Sequence, residues 1–276
     1  MKLAFLFLSL FCTIQHLKPQ SVISYLDDMT NSISSINTLE YELHAKELID
    51  GKFFYTHSKV KLQKEPFSVY NYVFTPNKGA EVLLVGKNNL VLVNPNSFPF
   101  VNLRLDPYGR LIRKDQHHTL FDAGFDNVKD LVFSARELLI NSPNKYIINL
   151  GVKQIDNKEC QVLKIINPDF SFLEYIVQKG EDVESISKRL NLSSYFILVL
   201  NNLSFYNDLK PGQKILIPNS YGEQFEIWID LQSNLPIVQK VFIENTLFEH
   251  YEFKNIIINP DFTIDEFKAT NKEYNF

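Results

Sequence analysis

From Leu39 the chain repeats with a period of two, Leu39, Tyr41, Leu43 and Ala45 alternating with Glu40, Glu42, His44 and Lys46. Alternation of this kind sends neighbouring side chains to opposite faces of a pleated strand, so one face must be buried and the other wet. The Ile49-Asp50-Gly51-Lys52 junction supplies an Asp-Gly turn, and Phe54, Thr56, Ser58, Val60 and Leu62 continue the period on a returning strand. A long antiparallel hairpin is therefore expected. Shorter strands are predicted over Phe67 to Phe74, Glu81 to Val85, Leu90 to Val93 and Phe100 to Leu105, with Pro76-Asn77, Gly86-Lys87-Asn88-Asn89, Asn94-Pro95-Asn96 and Asp106-Pro107-Tyr108-Gly109 as turns. This is the pattern of a meandering antiparallel sheet. Its composition agrees: 23 Phe and 13 Tyr against 9 Gly favour a pleated sheet with large apolar faces.

Helical spacing appears twice. Val22, Leu26, Met29, Ile33 and Ile36 form one stripe before the first strand, and Val128, Leu131, Val132, Ala135 and Leu138 form another between Asp126 and Ile140. Strands resume over Tyr146 to Val152, Gln161 to Ile166, Phe225 to Leu231, Pro236 to Glu244, Phe248 to Phe253 and Phe262 to Phe267. Trp228, Ile229 and Asp230 are expected to pair with the Cys160 segment. The residues between must then form an insertion whose two ends lie close together. A net charge of −4, a hydrophobic fraction of 45% and a charged fraction of 22% describe a globular chain and argue against disorder or nucleic-acid binding.

Lys2 followed by the apolar run Leu3 to Ile14, broken by Ser9 and Cys12-Thr13, reads as an export signal too short for a permanent membrane helix. Residues 1–20 are taken as a cleaved signal peptide, which places the mature chain in the periplasm or cell envelope of a bacterium. Phe11 before Cys12 argues against lipidation, which needs a small residue there. Cys160 is then a lone cysteine, expected to be a buried, inert small hydrophobe.

Between Tyr175 and Pro218 the chain reads Tyr-Ile-Val-Gln-Lys-Gly-Glu-Asp-Val-Glu-Ser-Ile-Ser, then Val-Leu-Asn-Asn, then Leu-Lys-Pro-Gly-Gln-Lys-Ile-Leu-Ile-Pro. Glu174 to Val177 forms a short strand, Gly180 turns, and Asp182 caps a helix that packs Val183, Ile186 and Leu190 inward. A second helix starts at Ser193 or Ser194, with Asn201 near its end, and Leu209-Lys210-Pro211-Gly212 turns into the strand Ile215 to Ile217. This ordered set resembles a LysM module, a βααβ unit placed at 171–219. The resemblance implies binding of peptidoglycan or another N-acetylglucosamine polymer in a shallow groove formed by Gly180, Glu181, Asp182 and Val183 on one side and Asn207, Asp208, Leu209 and Lys210 on the other. Glu181-Asp182 stands where the family has Asp-Thr, so the resemblance also implies extra negative charge beside the groove.

Residues 21–170 and 220–276 resemble the half-barrel superfamily of bacterial lipoprotein carriers and localisation factors, through an N-terminal helix, a long hairpin, a meander, an internal helix and the closing run from Ile227-Trp228-Ile229-Asp230 to Tyr251-Glu252-Phe253. Leu105-Asp106-Pro107-Tyr108-Gly109, Gln116-His117-His118 and Ala123-Gly124-Phe125 are similar to the bacterial domain of unknown function 1571 family within that fold. The implied class is α+β, a strongly bent antiparallel sheet with helices on its concave side. An apolar concavity that takes lipid or lipoprotein acyl chains in relatives is implied too, with Tyr41, Phe54, Val69 and Trp228 on one common face. The alternative is a concavity filled by the protein's own aromatics.

No catalytic constellation is expected. Cys160 sits in a strand with only His250 downstream, and neither His-Glu-x-x-His nor Gly-x-Ser-x-Gly occurs. Adjacent His117 and His118 read as structural or surface residues. His44 and His57 could meet across the first hairpin, but no Cys, Asp or Glu at ligand spacing is expected beside them, so neither metal nor cofactor is anticipated. The leading reading is an exported, non-enzymatic envelope protein held on glycan; the rivals are a lipid or lipoprotein acyl-chain carrier and a wall-modifying enzyme.

Overall fold

The computed structural model describes residues 21–86 and 90–276; the signal-peptide reading and the Lys87-Asn88-Asn89 turn lie outside them. Helix α1 (Val22–Ser34) opens on Ser21, whose hydroxyl accepts from the Ser24 amide at 3.1 Å, and buries Leu26, Met29 and Ile33. The hairpin β1 (Thr38–Ile49) and β2 (Lys52–Lys64) turns at Asp50-Gly51, both at positive φ, 47° and 74°. That pair of left-handed residues is what a two-residue turn demands. The meander follows as β3 (Phe67–Thr75), β4 (Glu81–Val85), β5 (Val91–Asn94) and β6 (Leu103–Leu105).

A short helix α2 (Arg110–Arg113), the long α3 (Asp126–Asn141) and the single turn α4 (Pro143–Tyr146) lead to β7 (Ile147–Ile155) and β8 (Lys158–Ile166). Then come β9 (Phe172–Ile176), α5 (Val183–Leu190), α6 (Ser194–Leu200) and β10 (Lys214–Pro218), before β11 (Gln224–Asp230), β12 (Pro236–Ile243) and β13 (Thr246–Ile258) close the sheet. Among the described residues, eleven strands form one antiparallel sheet in the order β6-β5-β4-β3-β2-β1-β13-β12-β11-β8-β7, and β9 pairs only with β10. The sheet is curved and stays open, with β6 and β7 at its edges. Register shifts at Glu40/Glu42, His57/Ser58, Val241/Phe242 and Trp228/Ile229 mark bulges, which bend strands locally.

Strand β11 pairs with β8, Asp230 opposite Cys160, so the chain leaves the sheet and returns to an adjacent strand. Asn167 Nδ2 donates to Ser220 Oγ at 2.9 Å, clamping the two ends of the intervening segment. Helices α1 and α3 pack against one face of the sheet, bringing Met29, Ile33, Val128 and Val132 into one cluster with Tyr41, Val60, Leu62, Val69 and Phe253.

Several expectations need correction. Phe262 to Phe267 is no strand: Thr263 Oγ1 donates to Glu266 and the Glu266 amide donates to the Thr263 carbonyl at 3.0 Å, turning the backbone. The tail then lies on β2 to β4, where Tyr274 stacks on Tyr70 at 3.7 Å and Lys61 pairs with Glu266. The strand anticipated from Phe100 shrinks to Leu103–Leu105 because Phe100 has φ 55° and is exposed. Along α3 the inward position is Leu139, with Leu138 exposed. Leu190 of α5 is likewise exposed, and Leu192 beyond the helix fills that part of the small core with Val183, Ile186 and Ile197.

Candidate functional site

The two loops that the LysM resemblance assigns to a groove are held together at both ends. Val183 N donates to Tyr206 O at 2.9 Å, while Val177 N donates to Gln213 O at 2.9 Å and Gly212 N to Val177 O at 2.8 Å. Gly180 lies at φ 85°, where a side chain would strain the turn. Asn207, Asp208 and Lys210 are exposed, Leu209 is half-buried, and Val183 is fully buried in the small core. Val183 can therefore offer only its backbone edge.

The acidic turn is already occupied. Asp182 caps α5, its Oδ1 accepting from the Ser185 amide at 2.7 Å, and Ser185 Oγ accepts from the Asp182 amide at 2.9 Å. Glu181 accepts from Tyr175 OH at 2.7 Å, from the Gln178 amide at 2.8 Å and from Arg189 at 2.6 Å. The hydrogen bonds from Tyr175 and Gln178, with Arg189 beside them, hold its carboxyl below the ordinary range. Both charges are thus engaged within the module and do not face a ligand unpaired.

The module is docked on the sheet through α6, and on α2 through Glu184 and Tyr206 next to the two loops. Tyr195 and Phe196 of α6 pack with Ile49, Val241, Ile243 and Phe248, and Tyr195 OH accepts from the Asp50 amide at 3.2 Å. Arg113, its side chain 1% exposed, reaches from α2 to Glu184 at 2.9 Å, donates to Ser194 Oγ and His117 O at 3.2 Å each, and lies over the Tyr206 ring at 4.2 Å. Burial raises the Glu184 carboxyl against the pull of Arg113. Lys188 Nζ adds a hydrogen bond to Tyr108 OH at 2.9 Å.

Beneath this junction lies a cavity of about 150 Å³, walled by Tyr41, Val60, Val69, Leu131 and Phe253 and polar at one end. A second space of about 310 Å³ shares His118, Asp122 and Tyr221 with it and reaches α5 at Glu184 and Lys188. The polar end is a buried network. His117 Nδ1 lies 2.8 Å from Glu249 Oε1 and its Nε2 3.0 Å from the Leu48 carbonyl, while Glu47 accepts from the His117 amide at 3.2 Å and from Tyr251 OH at 2.5 Å. His118 sits 3.7 Å from Glu249 and 3.8 Å from Asp122. Burial opposes charge on His118, but the nearby carboxylates of Asp122 and Glu249 prevail and raise its pKa well above the ordinary value. Burial likewise acts against charge on Glu249, yet the hydrogen bond with His117 and the nearby His118 bring it down to about 2. Tyr221, under burial and the charge of Glu249, is pushed up.

Of the residues expected on one apolar face, Tyr41 and Val69 do line the cavity. Phe54 stands opposite Glu47 on the same face as Tyr41, but it is 37% exposed and does not line the cavity. Trp228 belongs to the opposite face, where Nε1 donates to Glu226 at 2.8 Å and Lys240 lies 5.3 Å over the ring; the inward places are taken by Ile227 and Ile229. Cys160 is fully buried, and burial raises its thiol to about 11. His44 and His57 meet, and contrary to expectation a carboxylate accompanies them, Glu42 Oε2 lying 2.9 Å from His57 Nε2. The reading missed Glu47, Glu249 and Arg113. Glu47 had a signal, since it falls in phase with the buried stripe Leu39, Tyr41, Leu43 and Ala45.

No curated protein matches the chain in sequence. Among solved structures, it is similar to the lipoprotein LppX of Mycobacterium tuberculosis at 9% identity and a TM-score of 0.40, covering 86% of this chain and 95% of that one. LprF from Mycobacterium bovis gives 12% identity and 0.43, covering 88% and 94%. A LolA superfamily protein from Nitrosomonas europaea gives 11% and 0.31, covering 88% and 96%. In sequence, residues 36–172 match the family described as protein of unknown function (DUF1571), and residues 175–218 of the segment carried between β8 and β11 match the LysM domain.

Proposed function

We propose that this protein is an exported, non-enzymatic binding protein of the bacterial cell envelope. Residues 171–219, as an inserted domain, hold an N-acetylglucosamine polymer such as peptidoglycan, and the half-barrel of residues 21–170 and 220–276 presents that domain in a set orientation. The carrying observation is the LysM match at 175–218, in which Asn207, Asp208 and Lys210 stay exposed while α6 is spent on docking. Backbone groups along residues 180–183 and 207–210 can meet N-acetyl groups, and the apolar edge of Leu209 can meet a sugar face.

Sedimentation with insoluble peptidoglycan tests the reading. The full chain should pellet, and Asn207→Ala with Lys210→Ala should pellet less while keeping the wild-type melting curve. Equal pelleting of the wild type and this double variant would remove the groove assignment. Acyl-chain adducts in native mass spectrometry after membrane exposure would instead favour the carrier reading, and muropeptide release by the purified chain would favour an enzyme.

A further inference from the structure

The outer face of the first hairpin gathers three side chains able to bind a metal. His44 on β1 stands directly opposite His57 on β2, and Glu42 precedes His44 by two residues on the same face. The imidazole rings stack with centroids 4.0 Å apart and planes 19° from parallel. One donor atom from each of the three residues lies within 4.8 Å of the other two.

The surroundings orient this set. Asn255 Nδ2 donates to Glu42 Oε1 at 2.9 Å, which leaves Oε2 turned toward His57. Phe74 packs on the His57 ring at 4.5 Å. Lys254, opposite Glu42 in the register, has its charge taken up by Asp156 at 2.9 Å and Glu252 at 3.3 Å. β1 is paired on both sides, with β2 and β13, so the ligands ride on a rigid part of the sheet.

We propose that Glu42, His44 and His57 form a surface site for a divalent late-transition cation, zinc or copper, with solvent completing the coordination. Imidazole and carboxylate suit these ions. Tetrahedral zinc with bonds of roughly 2.0–2.2 Å sets its donors about 3.3–3.6 Å apart, so the present spacing closes by side-chain rotation with the strands in place. The ion replaces the contact between His57 and Glu42, and the Asn255 amide keeps the carboxylate aimed.

Calorimetric titration of zinc alone and of copper alone into the full chain, purified without a polyhistidine tag, tests the site. One equivalent of at least one ion should bind. His44→Ala and His57→Ala should each weaken binding by more than about tenfold, and Asn255→Ala, which spares the three ligands, by about tenfold. His250→Ala should bind like the wild type, and circular dichroism should show each variant folded. Binding of neither ion, or wild-type affinity in the His44→Ala and His57→Ala double variant, would overturn the proposal.

Discussion

Arg113 places a guanidinium where water hardly reaches, between Glu184, Ser194, the His117 carbonyl and the Tyr206 ring. Removing one member of a buried ion pair leaves the other desolvated and uncompensated, so Arg113→Met should lower unfolding free energy by roughly 3–5 kcal/mol. Glu184→Gln in the same chain should restore part of that loss, and a denaturant double-mutant cycle measures both. The histidine network makes its own prediction through pH. His118 is raised above its ordinary 6.5 in the folded chain, so its contribution is whole below that value and is lost as pH rises through the folded pKa. Glu249 is lowered from 4.5 to about 2, so its contribution is present above 4.5 and is lost as pH falls toward 2. Stability should therefore decline on both sides, and thermal melts between about pH 6.5 and pH 8.5 should show an alkaline slope that His118→Gln flattens.

At the scale of elements, α6 decides how the inserted segment behaves. Its Tyr195 and Phe196 bury against strands of the large sheet, with the Phe196 and Phe248 rings 5.6 Å apart. Phe196→Ala should cost about 3–5 kcal/mol and separate two transitions that coincide in the wild type. The single Trp228, on β11, reports the sheet by fluorescence, while circular dichroism reports the whole chain, so the two curves should diverge only in the variant. The strands behind this arrangement were legible because the period of two in β1 and β2 coincides with real burial, and Asp50-Gly51 dictates its turn. Where the reading failed, a local competitor won: the Thr263 to Glu266 turn displaced a strand, and Leu192 displaced Leu190 in the small core. The buried network was hidden for a different reason. His117 and Glu249 are 132 residues apart, and no local pattern states that two such positions meet.

For the whole molecule, the question is whether the module is an appendage or part of the fold. Its ends are clamped through Asn167 and Ser220, so a short glycine-serine turn could replace residues 171–219 without stretching β8 or β11. An appendage joined only at that clamp would be dispensable. Here, removal would uncover Ile49, Val241, Ile243 and Phe248 and strip Arg113 of Glu184, Ser194 and Tyr206. An exposed apolar patch beside an unpaired buried cation disfavours the monomeric native state. The deletion variant should therefore melt well below the full chain and elute partly as aggregates in size-exclusion chromatography. A monomer with the wild-type melting temperature would show that docking adds nothing. Docking also bears on the proposed glycan binding: a module fixed on the sheet presents its two loops in one direction, and each contact that holds α6 helps to set that direction.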